Sequence, residues 1–284
     1  MALNFWQSTH YLHWMKNLRL EDLKRINPKD TSLSLAEVDS IHLAMIALIE
    51  ELGARIHVNQ IIICTAIILY KRFYLTQSFT DFDPRLVVCT VMVLATKIEE
   101  FPVRLPEITS PLHELTTSTC FSSSTSILTY PPVEIPEDKD AMYDFTEKDV
   151  IECEFYVIEA TQYDLVIHHP FSTLVKVYEE VEETFPMYDH SFKTAWDLCL
   201  FAYRTHIVLL RPPFLVALAV VYLALQDACY DTSDYLDRVN IKSEHILQVV
   251  AELQSTFVEV QSLMAAQSAA LAKLEHIVPD PTKD

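Results

Sequence analysis

Residues 84–95, PRLVVCTVMVLA, and residues 213–224, PFLVALAVVYLA, lie over one another without a gap, proline on proline and alanine on alanine. Proline suits the first position of a helix, because the N–H it lacks is one the helix leaves unbonded there anyway. Asp83, just before the first copy, is a residue type that caps such a start. Both runs are apolar nearly all round, which places them in the middle of a helical bundle. The match widens to Asn59–Ala95 over Leu198–Ala224, with Tyr70 and Arg72 answering to Tyr203 and Arg204. An offset of roughly 130 residues is too long for a solenoid unit and predicts two copies of one helical domain.

Composition agrees. Half of the 284 residues are hydrophobic and Gly53 is the only glycine. Sandwiches, barrels and nucleotide-binding α/β folds need glycine at turns, bulges and phosphate loops, whereas helices joined by proline and serine connections do not. The expected class is all-α. Ser34 and Glu37 have the form of a capping box, opening a helix that stops at Gly53. Asn59 caps IIICTAIILYKRFY, and Thr146 to Asp149 is a further cap before a helix through Ile158. The resulting division is an N-terminal segment over 1–33, a first domain over 34–164, a second over 165–264 and a polar tail over 265–284. Within the first domain, 109–140 is rich in serine, threonine and proline and reads as an exposed, unstructured loop. Pro106 and Pro111 are expected to interrupt any helix there.

A formal charge of −19 argues against a nucleic-acid groove, since affinity for phosphate backbones comes from clustered Lys and Arg. The longest apolar stretch, Pro212 to Leu225, falls short of the ~18–20 residues that span a bilayer. No secretory leader is evident in MALNFWQSTHYLHW. The six cysteines, Cys64, Cys89, Cys120, Cys153, Cys199 and Cys229, form no C-x-x-C pair and read as buried free thiols of a reducing compartment.

Chemistry-bearing motifs are absent. One glycine cannot make G-x-G-x-x-G or a P-loop. His10 with His13, and His168 with His169, lack a third metal ligand nearby. Cys153 sits between Glu152 and Glu154, and a neighbouring anion raises a thiol's pKa. No cofactor, metal or catalytic residue is expected.

One stretch remains odd. VMVLATKIEEFP, residues 91–102, ends a greasy helix with Lys97 and then Glu99 and Glu100. A helix C-terminus favours the cation and disfavours the anions. The glutamates are either simply solvated or wanted by something outside this chain.

Several of these motifs resemble the cyclin family. VLATKIEEF at 93–101 is similar to the family's L-A-S-K-x-E-E, with Thr96 replacing serine. KRFY at Lys71–Tyr74 and IECEFYVIE at Ile151–Glu159 resemble the first cyclin box, and YRTHIVLLRPPFLVALA at Tyr203–Ala219 resembles the second. NFWQSTHYLHW looks like the N-terminal helix of the C-type branch, which serves the Mediator kinase module. The resemblance covers roughly residues 3–100 and 146–260. It implies two tandem cyclin boxes of about five helices each after an N-terminal helix. It also implies a non-catalytic nuclear subunit that activates a cyclin-dependent kinase of Mediator, contacts other subunits of that module and regulates RNA polymerase II transcription. By motif position, Lys97 and Glu152 would lie side by side and hold the kinase C helix. Glu99 and Glu100 would face arginines of its activation segment, and Phe101 and Trp6 would add partner contacts. A TFIIH-type cyclin is the nearest rival; a TFIIB-like two-repeat factor would need a basic face that this chain lacks.

Overall fold

In a computed structural model of the chain, residues 4–117, 120–121, 133–134, 145–182, 188–230, 232–239, 241–264, 266–274 and 276–278 are described. After a 3-10 turn at Phe5–Gln7 and a π-helical turn at His10–Met15 come α1 (Leu20–Leu23), α2 (Leu35–Arg55), α3 (Gln60–Phe73), α4 (Pro84–Ile98), α5 (Leu105–Thr117) and α6 (Glu147–Ala160). Then follow α7 (Phe171–Glu182), α8 (Tyr188–Arg204), α9 (Ile207–Leu210), α10 (Pro213–Asp227), α11 (Ser233–Arg238), α12 (Ser243–Met264) and α13 (Gln267–Leu274). The architecture is all-α. Its one departure among the described residues is a two-residue antiparallel pairing of β1 (Cys120–Phe121) with β2 (Val133–Glu134).

The chain divides into two compact units. One comprises Glu21–Val166 and Gln261–Asp284; the other comprises Met1–Leu20 and Ile167–Val260.

In the first unit local chemistry sets the helix starts. Ser34 and Glu37 make the reciprocal capping box of α2, Asn59 accepts from the Ile62 N–H at 3.1 Å to start α3, and Asp83 accepts from the Arg85 N–H at 2.6 Å to start α4. Thr146 and Asp149 form a second capping box at α6. α3 is buried from Ile62 to Phe73 and α4 from Val87 to Thr96, so both run through the core. Arg72, fully buried, donates to the Asp164 carbonyl at 3.0 Å.

The structure corrects three local expectations here. α2 does not stop at Gly53 but continues to Arg55. The glycine serves close packing, since a Cβ there would lie 2.4 Å from Ile63 Cγ1. α5 forms despite Pro106 and Pro111, so the segment read as loop from Thr109 is helical to Thr117. Ile108, Leu112 and Leu115 are fully buried along one face. At ~1.5–3 kcal/mol each, that burial outweighs the ~3 kcal/mol of an internal proline. The rest of that segment, apart from β1 and β2, lies outside the described residues. Finally, the stretch read as a polar tail carries α13, which packs on α2 with Ala270, Leu271 and Leu274 buried and Lys273 paired to Glu37.

The second unit repeats the plan. α8 packs on α10 as α3 packs on α4. Tyr203 OH lies 2.6 Å from His169 Nδ1, as Tyr70 OH lies 3.2 Å from His42 Nδ1 in the first unit. The N-terminal segment is not one amphipathic helix. Extended backbone at Ser8 separates the two turns, so Trp6 stays exposed while His10, Trp14 and Met15 are buried on the π-helical turn. His10 Nδ1 accepts the His168 N–H at 3.0 Å.

A chain this poor in glycine must end helices with other residues. α2, α4, α6 and α10 all close with a left-handed residue just past the cap: His57 (φ 56°), Glu100 (φ 54°), Gln162 (φ 56°) and Cys229 (φ 60°). In each the next N–H reaches back to the helix, as from Val58 to the Gly53 carbonyl at 3.2 Å. This is the Schellman closure with glycine replaced. Cys229 is exposed, contrary to the reading of buried thiols; Cys64, Cys89, Cys153 and Cys199 are buried, and the Cys120 side chain lies outside the described set. No helix among the described residues is long and apolar enough to cross a membrane.

Candidate functional site

The end of α4 and the outer face of α6 make the site. α4 closes with Glu99 as C-cap: the Glu100 N–H bonds the Lys97 carbonyl at 3.3 Å and the Phe101 N–H bonds the Thr96 carbonyl at 2.9 Å. That closure turns the chain sharply and leaves Glu100 and Phe101 exposed. Beneath it, Thr65 of α3 donates its hydroxyl to Glu99 Oε1 at 2.7 Å. The two glutamates are therefore held differently, Glu99 by a side-chain bond and Glu100 only by its backbone.

On α6 the buried stripe is Val150, Cys153 and Val157, at the i, i+3, i+7 spacing of a core face. Glu154 lies at the edge of that stripe. Lys97 Nζ sits 2.6 and 2.7 Å from its two oxygens. The expected neighbour, Glu152, is elsewhere: it is 62% exposed and pairs with Lys148 at 3.4 Å. The expectation of Lys97 beside Glu152 is thus corrected to Lys97 with Glu154. At roughly 100° per residue, positions 152 and 154 point about 200° apart, so only one can meet α4. Proximity in sequence to the right motif did not settle which.

α6 also presents Ile151 at 51%, Phe155 at 71% and Tyr156 at 53% exposure. Ile151 and Phe155, four apart, share one side of the helix. Sequence reading missed this apolar row, together with Glu154 and Thr65. The signal was available in IECEFYVIE, where subtracting the core stripe leaves Ile151, Phe155 and Tyr156 facing out. Trp6 belongs to the other unit, packed edge-on against Tyr11 with ring centroids 4.9 Å apart and against Phe214 at 5.7 Å.

Nothing here suggests chemistry at the site itself. Burial pushes the Cys153 thiol up to about 11, despite a hydrogen bond from Thr90, so it is not an activated nucleophile. Among the described residues no three His, Cys, Asp or Glu side chains gather as a metal set. An exposed apolar row flanked by a lysine and acids is the composition of a protein-docking surface.

The chain matches the family Cyclin, N-terminal domain, over residues 13–166. It belongs to the cyclin family. This cyclin is 28% identical to Cyclin-C of Rattus norvegicus over 100% of this chain and 94% of the relative. It is also 28% identical to Cyclin-C1-2 of Arabidopsis thaliana, over 89% of this chain and 90% of the relative. Among solved structures it resembles a chain of the yeast TFIIK complex, with TM-score 0.63, 19% identity and coverage of 88% of this chain and 99% of that one. A chain of the yeast RNA polymerase II CTD kinase complex CTDK-1 aligns with TM-score 0.65 at 14% identity, covering 91% of this cyclin and 82% of that chain. The last two show the shared two-box fold. The two relatives are cyclin-C proteins matched along most or all of this chain.

Proposed function

We propose that this cyclin is the regulatory subunit of a cyclin-dependent kinase of the Mediator kinase module, acting in the nucleus on RNA polymerase II transcription and contacting other subunits of that module. It carries no catalysis of its own. The observation that carries the reading is the exposed Ile151–Phe155–Tyr156 row on α6, bordered by Lys97 with Glu154 and by Glu99 and Glu100. The likeness to cyclin-C proteins over the whole chain supports the Mediator assignment.

In this reading the kinase's C helix lies on α6. Phe155 and Ile151 bury their side chains in it, and Phe101 extends the apolar contact. Two of the Lys97 ammonium donors hold Glu154, leaving the third for an exposed carbonyl at the partner's helix end. Glu152 offers acceptors nearby. Glu99 and Glu100 supply carboxylates to arginines of the activation segment, the role a phosphothreonine has in other kinases. Trp6 makes a separate contact. Activation follows because the cyclin binds the kinase state with the C helix in place more tightly than the other state, and so shifts the population.

The test is affinity purification of the tagged full-length chain and identification of the bound kinase. Phe155→Asp should cut retention of that kinase by about tenfold or more, the loss expected for a buried aromatic anchor, with the helical circular-dichroism spectrum intact. Retention unchanged by Phe155→Asp, or a partner that is not a kinase, would refute the reading.

A further inference from the structure

Thr65 lies within IIICTAIILY of α3 and is fully buried. Other threonines in these helices turn the hydroxyl back onto their own helix: Thr96 donates to the Val93 carbonyl at 2.8 Å and Thr116 to the Leu112 carbonyl at 3.1 Å. A threonine inside a helix ordinarily does so. Thr65 reaches across to a different helix end and donates to Glu99 Oε1 at 2.7 Å. Glu99 has no other side-chain partner among the described residues. It is only half-buried, at the cap of α4, directly before the left-handed Glu100.

A glutamate at a helix end has three side-chain torsions and, left alone, samples many orientations. The bond from Thr65 fixes one oxygen and with it the plane of the carboxylate. Oε2 is left for a cation arriving from outside. A charged hydrogen bond from a buried hydroxyl is strong and short, and a group ordered before binding loses less freedom on binding. We infer that Thr65 is a positioning residue, which pre-orients Glu99 to receive an arginine side chain of the partner. This rests on the reading above, in which Glu99 and Glu100 face partner arginines, and deepens it by naming what holds the acid in place.

The experiment uses the full-length chain with the kinase that co-purifies with it, assayed on a peptide of RNA polymerase II C-terminal repeats at saturating cyclin. Thr65→Val keeps the shape and removes the hydroxyl. It should lower kcat about ten- to a hundredfold, the range expected when a hydrogen bond to a charged group is lost, while the amount of kinase retained stays within about twofold. Thr65→Ser should restore most of the rate. In a Glu99→Gln background, Thr65→Val should add nothing, because its effect runs through that carboxylate. If Thr65→Val lowers the rate equally in both backgrounds, its role is structural and the inference is overturned. It is overturned as well if Thr65→Val is silent while Glu99→Gln with Glu100→Gln is inactive. Should that double variant itself be fully active, the acid reading falls and the role of Thr65 with it.

Discussion

Lys97 Nζ is chelated by both carboxylate oxygens of Glu154, at 2.6 and 2.7 Å, which ties the last turn of α4 to α6. The ammonium is largely exposed and the carboxylate is 17% exposed. An ion pair in that setting contributes about 0.5–1 kcal/mol. Lys97→Ala and Glu154→Ala should each lower the free energy of urea unfolding by about that much, and the two together by little more than one alone. Glu152→Ala, which loses only the pair with Lys148, should change it by less than ~0.5 kcal/mol. A double-mutant cycle that found coupling between 97 and 152, and none between 97 and 154, would contradict the assignment.

Gly53 sits inside α2 where Ala would ordinarily gain about 1 kcal/mol in helix propensity. The packing of Ile63, whose Cγ1 and Cδ1 would lie 2.4 and 2.6 Å from an added Cβ, reverses the sign. Gly53→Ala should destabilise by about 1–3 kcal/mol, the usual cost of overpacking, and by less when combined with Ile63→Val. A rise in melting temperature for Gly53→Ala would show that α3 yields freely there.

Left-handed backbone at His57 and Gln162 asks for the conformation that glycine adopts without a side-chain penalty. His57→Gly and Gln162→Gly should each raise stability by about 0.5–1 kcal/mol. Their effects should add, since they close different helices. Thermal melting of the two single variants and the double checks this; a loss of stability at either site would mean its side chain does more than the backbone geometry indicates.

Burial draws the Lys71 ammonium down to about 7, against the upward pull of Asp39 and Glu50. The unfolded value is near 10.4. Between the two, the unfolded chain holds a proton that the folded chain has released, so stability rises with pH through that window and is flat below it. Cys89 and Cys153, pushed by burial up to about 12 and about 11, retain protons that the unfolded thiols lose, and so oppose the rise above about pH 8.5. From about pH 7 to about pH 8.5 the wild-type chain should therefore gain roughly 1–2 kcal/mol relative to Lys71→Met. Equal slopes for the two proteins in urea titrations would place Lys71 in water.

What spacing alone displayed was local. Ser34 with Glu37, and Thr146 with Asp149, close within one helical turn, so four consecutive residues contain both partners of each bond. The repeat of Pro84–Ala95 in Pro213–Ala224 was legible because two buried helices ask for the same run of side chains. These features made the all-α, two-box architecture and the approximate place of the site readable from the chain. α5 was hidden because local proline chemistry opposes it and only the burial of Ile108, Leu112 and Leu115 supports it.

The amino-acid order determined that α2, α3, α4, α6 and α10 are helical, where the capped ones begin, and that a lysine and a pair of acids crowd the end of α4. Only the packed molecule decided that Lys97 takes Glu154 over Glu152, that Thr65 holds Glu99, and that Gly53 is there for Ile63. Those choices depend on how far each helix is rotated about its own axis when it docks. That rotation is fixed by side chains tens of residues away, whose burial no local pattern records.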